Sequence, residues 1–212
     1  MSKLKLAFCD TKACQYSVDH WHYSKSLPPP PRVSFGVWED DIFKGAIIFA
    51  RGANRHLLSP YGLQCTEGAE LVRVALKQHD APVSKIISIA VRLLKKQCPG
   101  LRLLVSFADP AEGHVGGIYQ ASNWTYVGQS SPSKKYRDKF GKEWHPRMIA
   151  ETGIKKVYGE MRRVLKPSDC TVIECPGKYR YVLPLDPDMA KRIELLKKPY
   201  PKAIDTSADE VL

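Results

Sequence analysis

Ser106, Asp109, His114 and Tyr119 lie close together in one stretch of the chain. A hydroxyl, a carboxylate, an imidazole and a phenol gathered this way can accept, hold and pass on protons. Asp109 precedes Pro110. Proline has no N–H for a sheet ladder and biases its predecessor away from helix, so a strand that reaches it must stop. Asp109 is therefore expected just past a strand's carboxyl end, as a base or orienting group, or as an Asx turn beside the proline. Ser106 is expected to face opposite Val105 and Phe107, where it could hydrogen-bond a ligand or the base, or stand as a solvated strand residue. His114 sits in a glycine-flanked loop, where an imidazole can approach a ligand or remain a satisfied loop residue. By period, Tyr119 is also a core residue of a short helix from about Val115 to Ser122.

A second group lies in Asp19-His20-Trp21-His22-Tyr23-Ser24-Lys25-Ser26, which is denser in functional side chains than an ordinary helix end. His22, Tyr23 and Ser24 could supply a second wall of a site; alternatively the aromatics cover a core edge. Arg73 lies in Glu70–Leu76, alternating with Leu71. It reads as an anion or carbonyl clamp, or as an arginine snorkelling at a sheet edge. An iron or zinc ion held by His20 or His22 with Asp109 is a further arrangement these types allow. Cys9 and Cys14, with His20 and His22 downstream, fit no common zinc spacing.

The elements that must position these groups follow from periodicity. Leu4 to Phe8 alternates as a strand, and Asp10-Thr11 starts a helix over Lys12 to Val18. Pro28 to Pro31 force an extended connection. Val33 to Trp38 and Ile42 to Ala50 form a hairpin around the acidic turn Glu39-Asp40-Asp41. Glu70 to Leu76 is a strand, and Asp80 caps a helix running to about Gln97, with Val83, Ile86, Ile87, Ala90, Leu93 and Leu94 as its apolar stripe. Leu101 to Phe107 is the next strand, so strand, helix and strand make a parallel crossover. Trp124 begins a further strand.

The sequence has 212 residues and a net charge of +11, which allows one sizeable core and points to nucleic acid as the first partner class, with an anionic membrane second. No apolar run approaches the roughly 20 residues needed to span a bilayer. The basic N-terminus lacks the apolar segment of a secretory signal, so the protein is expected in the cytoplasm. The six cysteines contain no Cys-x-x-Cys pair and are expected as free thiols. From Ser130 to Lys202 about 18 Lys/Arg stand against 9 Asp/Glu. There Lys134, Lys135, Tyr136, Arg137, Lys139, Phe140, Lys142, Trp144 and Arg147 interleave charge with aromatics, as a nucleic-acid groove does. A helix is expected over Ile154 to Leu165, then a hairpin of Cys170 to Glu174 with Lys178 to Leu183, a short helix near Asp188 to Leu196, and an acidic tail.

The order strand, helix, hairpin, strand, helix, strand, helix, strand resembles the GNAT acyltransferase fold, in which two parallel strands splay around the donor. More specifically, the chain resembles the phage Mom family of DNA-modification proteins. The resemblance rests on His22-Tyr23-Ser24, Glu70 to Ala75 with Arg73, Ser106 to Pro110, Gly116 to Gly128 and Lys178 to Asp186. Together these motifs span about three quarters of the chain in order, which weighs more than any single motif.

The resemblance implies an α/β (α+β) fold with a mixed, splayed sheet. Its domains would be a catalytic core over 1–129, a basic extension over 130–202 that completes the sheet and contacts DNA, and an acidic tail over 203–212. It also implies a transferase in a phage-infected or prophage-bearing cell that converts adenine in DNA to N6-carbamoylmethyladenine and shields the DNA from restriction. Tyr119 would then stand where GNAT enzymes place a tyrosine general acid. The target adenine must be flipped out of the duplex, with Trp21, Tyr23, Trp124 and Tyr126 as stacking partners and the basic run on the phosphates.

The donor would be an activated acyl or glycine-like compound, an acyl-CoA among them, near Lys77, Ser84 and Lys85. The turn Lys77 to Lys85 lacks the glycines that cradle a pyrophosphate in acyl-CoA-using relatives, and Pro82 removes a donor. The alternative motivated by fold alone is a GNAT acetyltransferase acting on a small molecule or protein. Charge alone motivates a non-catalytic DNA-binding module.

Overall fold

Alternating apolar residues in neighbouring segments lower their free energy by pairing and burying one face each. The computed structural model, which describes residues 2–30, 32–52, 54–157 and 159–202, is built largely from such pairs. Pro31 and the tail over 203–212 lie outside the described residues. In chain order the elements are β1 (Leu4–Phe8), α1 (Thr11–Trp21), β2 (Arg32–Glu39), β3 (Ile42–Ala50), β4 (Gly68–Leu76), α2 (Val83–Gln97), β5 (Leu103–Ala108) and α3 (Gly117–Gln120). They continue with β6 (Thr125–Gln129), β7 (Ser133–Asp138), β8 (Glu143–Trp144), β9 (Ile154–Val157), β10 (Glu160–Arg163), β11 (Cys170–Cys175), β12 (Tyr179–Pro184) and α4 (Pro187–Glu194). They divide into two compact units: one runs to Ala108, takes in Val115–Gly128 and resumes at Tyr179; the other is Asp109–His114 with Gln129–Lys178.

In the first unit a seven-stranded sheet, counted among the described residues, has the order β1-β2-β3-β4-β5-β12-β6. This is the mixed α+β architecture expected. β4 and β5 are parallel, joined through α2, while β1 to β4 and β5 to β12 pair antiparallel. The stripe Ile86, Ile87, Ala90 and Leu94 of α2 is buried against Phe35, Ile47, Phe49 and Leu104. Each isoleucine or leucine of the stripe contributes about 1.5–3 kcal/mol on burial. The opposite sheet face is covered by α1, through Cys14 and Val18 on Ala46, Ile48 and Ala75, and by α4, through Met189 and Ile193 on Leu103, Val105 and Val182. Asp10 caps α1 by accepting the Ala13 N–H at 2.8 Å, as expected.

Two irregularities position the candidate site. β4 and β5 pair only at Gly68↔Leu103, Ala69↔Leu104 and Glu70↔Val105, and part beyond that. β4 also carries a bulge: Phe49 faces Leu71 while Ile48 faces Arg73, so Val72 is an extra residue. Phe49 and Ile48 lie on opposite sheet faces. The bulge therefore sends Leu71 towards α2 and Arg73 towards α1, which simple alternation could not do.

In the second unit β7 pairs with β11 and β8, and β9 pairs with β10. The helix expected over 154–165 is instead the β9–β10 hairpin. Its apolar positions match a helical stripe only by spacing: Met161 is 68% exposed, and Gly153 and Gly159 adopt left-handed φ of 67° and 88° that interrupt a helix. The hairpin expected between Cys170–Glu174 and Lys178–Leu183 does not form either. β11 has no buried residue, whereas Tyr181 and Val182 of β12 are fully buried beside β5. The six cysteines are free thiols, as expected.

Candidate active site

Leu71 is the first β4 residue past the last pair with β5, so its carbonyl has lost a ladder partner on that side. Ser106 of β5, fully buried, replaces it: its Oγ lies 2.7 Å from Leu71 O and 2.7 Å from Tyr119 Oη. A carbonyl only accepts, so the single serine proton goes to Leu71 and the Tyr119 hydroxyl donates to Ser106. Burial pushes the Tyr119 phenol up to about 12, against the bond to Ser106, with the charges of Tyr23 and Glu70 adding to the rise. Tyr119 is therefore a neutral donor across the physiological range. α3 presents it from a single turn. Gly116 enters that turn at φ 83°, and a Cβ there would meet Tyr181 Cε2 at 2.3 Å, so only glycine fits. Tyr181 in turn donates to Val115 O and accepts from Gln120 Nε2 at 3.0 Å.

Arg73 donates through Nε to Ser26 O at 3.0 Å and through Nη1 to Val72 O at 2.7 Å. Burial lowers its pKa, while Tyr23 and Glu70 act to raise it. Tyr23 and Glu70 thus influence both Arg73 and Tyr119. His22 stacks on Tyr23 with ring centroids 4.5 Å apart. Its Nδ1 accepts the Ser24 N–H at 3.1 Å and lies 2.9 Å from Ser24 Oγ. A nitrogen that accepts an amide proton carries none, so the neutral ring bears its proton on Nε2. Within the first unit the structure therefore ties together His22, Tyr23, Ser24, Arg73, Ser106 and Tyr119. It adds Glu70, a carboxylate at the last paired position before the strands part, which was not singled out from the sequence.

Asp109 belongs to the second unit. It is 8% exposed, caps the short turn Pro110–Glu112 by accepting the Ala111 N–H at 3.1 Å, and pairs with Lys178 Nζ at 2.7 Å. The His114 N–H donates to Asp109 O at 3.1 Å, and the His114 side chain is exposed. The metal arrangement is not assembled: among the described residues no group of three His, Cys, Asp or Glu side chains is placed to hold an ion. His20 instead engages Tyr16 O through Nδ1 at 2.8 Å and stacks on the Tyr16 ring. Cys9 and Cys14 approach with sulfurs 3.2 Å apart, and the bond from Cys9 lowers the Cys14 thiol to about 6.

The turn before α2 departs from expectation. Asp80 does not cap the helix; Pro82 stands at that position without a side-chain bond. The Asp80 and Ala81 N–H groups donate to the two carboxylate oxygens of Glu39, at 2.9 and 2.7 Å. Those backbone bonds, with Lys44 and His79, hold the Glu39 carboxyl below its usual value against the opposing effect of burial. Lys77 Nζ lies 5.6 Å from the Trp21 ring centroid, Ser84 is half-buried and Lys85 exposed. Two backbone donors of this turn, the Asp80 and Ala81 N–H groups, are therefore already engaged.

Among the expected DNA contacts, Trp124 has no exposed surface and Tyr126 is 9% exposed. Trp124 packs on the Tyr119 ring, and Tyr126 on the rings of Tyr179 and Tyr181. They are core residues, because strand alternation turns them inward, and neither presents a face on which a base could stack. Tyr23 is 46% exposed. In the second unit Lys134 pairs with Glu174, and Lys135 and Arg137 both pair with Glu143. Tyr136 lies opposite Trp144 in the β7–β8 pair. Lys142 Nζ sits 4.1 Å from the Trp144 ring centroid, Lys139 lies beside the 83% exposed Phe140, and Arg147 is exposed.

No helix among the described residues is long and apolar enough to cross a membrane. The model of the Mom protein family matches residues 3–202. The methylcarbamoylase of Escherichia phage Mu is 32% identical over 124 residues, covering 56% of this chain and 49% of that protein, so the chain matches about half the length of that relative. Among solved structures, a Bacillus subtilis acetyltransferase in complex with CoA aligns with a TM-score of 0.49 and 14% identity, over 88% of this chain and 100% of that one. An N-acyl amino acid synthase from uncultured soil microbes aligns with a TM-score of 0.48 and 11% identity, over 92% and 96%.

Proposed function

The chain belongs to the Mom protein family, and from that premise we propose that it is a transferase converting adenine in DNA to N6-carbamoylmethyladenine, in phage DNA protected thereby from host restriction. The family match over residues 3–202 carries this reading. The grouping of Arg73, Glu70, Tyr23, Ser106 and Tyr119 where β4 and β5 part supports it.

Adenine N6 is a poor nucleophile, because its lone pair is delocalised into the ring. The product's N6 is bonded to a methylene carbon, so the N6–C bond must form at that carbon of an activated acyl or glycine-like donor as its bond to the leaving group breaks, while one N6 proton leaves to a base. Arg73 would hold the donor's carbonyl or anionic end. Ser106 and Tyr119 fix the floor of the gap. Within the first unit Glu70 would take the proton, with the wall of His22, Tyr23 and Ser24 orienting the reactants; Asp109, with His114 in the same short segment, is the candidate base read from the sequence. The base is swung out of the duplex at a cost of a few kcal/mol and stacks on Tyr23 or Trp21. The basic residues of the second unit grip the phosphates.

Nucleoside mass spectrometry of DNA from cells expressing the protein tests this. The expected result is a modified deoxyadenosine in the wild type, and its loss in Arg73→Ala and Asp109→Ala with unchanged circular dichroism. Glu70→Gln against Asp109→Asn identifies the proton acceptor. Wild-type DNA with no modified deoxyadenosine, under adequate donor supply, rejects the reading.

A further inference from the structure

The acidic run Glu39-Asp40-Asp41 reads as a solvated hairpin turn, and the two aspartates fulfil that, with left-handed φ of 48° and 62°. Glu39 does not: it is 2% exposed at the end of β2. Its Oε1 accepts the Ala81 N–H at 2.7 Å, its Oε2 the Asp80 N–H at 2.9 Å, and Lys44 Nζ lies 3.7 Å from Oε2. A buried carboxylate persists only where donors replace its hydration. Here the donors are consecutive backbone amides leading into a fifteen-residue helix, whose dipole favours negative charge at that end. The next residue, Pro82, has no N–H, and its carbonyl is used by Lys85 and Ile86.

We propose that Glu39 is a built-in anion that closes the entry turn of α2 to the pyrophosphate of coenzyme A, so that the donor is recognised at its reacting end, beside Arg73 and Glu70, rather than by a nucleotide tail. The statement about the donor rests on the transferase reading above; the closure of the turn does not. An incoming diphosphate would meet a like charge on amides already engaged. Displacing Glu39 would strand a buried carboxylate unless the end of the β2–β3 hairpin moved with it. A donor small enough to bind through its reactive carbonyl needs no such displacement.

The test uses the full chain, with acetyl-CoA and with 3′-phosphoadenosine diphosphate, the nucleotide tail alone, as probes. Calorimetry is expected to give no saturable binding by the wild type up to about 1 mM, the weak end of small-molecule affinity, and NMR to show the Asp80 and Ala81 amides unmoved. In Glu39→Gln, with circular dichroism confirming the fold, exchange of those two amide protons should speed up about tenfold or more, the size expected on losing a charge-assisted bond. Acetyl-CoA binding that shifts the two amides in the wild type, or unchanged amide exchange in Glu39→Gln, overturns the closure. DNA that carries no modified deoxyadenosine, with the coenzyme A result intact, overturns the transferase reading and leaves the closure standing.

Discussion

At the scale of single residues, the direction of one proton is decisive. Because Leu71 O can only accept, the Ser106 hydroxyl is committed to it and Tyr119 to Ser106. Ser106→Ala leaves a buried carbonyl and a buried phenol unpaired and is expected to cost about 2–3 kcal/mol; Tyr119→Phe leaves the serine bond intact and should cost about 0.5–1.5 kcal/mol. Urea unfolding of both variants checks the order, and a larger loss for Tyr119→Phe would reverse the proton assignment. If Tyr119 also serves as acid for the leaving group, Tyr119→Phe loses product well beyond its small loss of stability. Residues of this kind were legible in the sequence because strand alternation and the Asp109-Pro110 stop locate them. Glu39 and Glu70 were not. The first sits beside two aspartates that do form a solvated turn, and the second reads as the first residue of a strand; only pairing shows that one is buried and the other adjoins a gap.

At the scale of elements, capping and irregularity decide what each segment does. Asp186 accepts the Met189 N–H at 2.9 Å as N-cap of α4, and pairs with Arg102 at 2.8 Å. The Arg102 guanidinium and the Met189 N–H hold its carboxyl down to about 2. A depressed carboxyl adds stability that is complete above its unfolded value of about 3.8 and is lost as pH falls towards 2. Wild-type melting temperature should therefore fall across that window more steeply than that of Asp186→Asn, which starts lower at neutral pH through loss of both interactions. Parallel curves for the two proteins between pH 2 and 5 would remove the pair from the account. Arg73 shows the limit of reading elements from sequence. Its type and strand were evident, but the extra residue Val72 that turns it towards α1 leaves no mark in composition. The β9–β10 hairpin was missed for a related reason: four apolar positions in twelve residues satisfy a helical stripe, yet none of the four is buried and Met161 is 68% exposed.

At the scale of the whole molecule, a net charge of +11 pointed to nucleic acid. The rise in basic residues after Ser130 falls beside Gln129, where the longer segment of the second unit begins, while nothing in composition marks the return to the first unit at Tyr179. Charge counted along the chain is not charge available to a phosphate. Lys134, Lys135 and Arg137 already face Glu174 and Glu143 at 2.9–3.2 Å, so binding DNA through them first requires those carboxylates to be given up. Lys139, Lys142 and Arg147 have no ion pair among the described residues. Burial and Arg147 lower the pKa of His145, so that ring adds no charge at neutral pH. The three unpaired cations should therefore carry most of the salt dependence. Replacing Lys139, Lys142 and Arg147 together by glutamine is expected to reduce the slope of log affinity against log salt by about 2–3, close to one counterion per contact. Replacing Lys134, Lys135 and Arg137 should reduce it by less than half as much, because each lost cation also frees a carboxylate that was being neutralised. Fluorescence anisotropy on a short duplex across a salt series separates the two triple variants. Equal slopes for both would mean that the ion pairs of β7 open at no cost when DNA arrives, and that the basic strand, rather than the loop and turn beyond it, forms the contact.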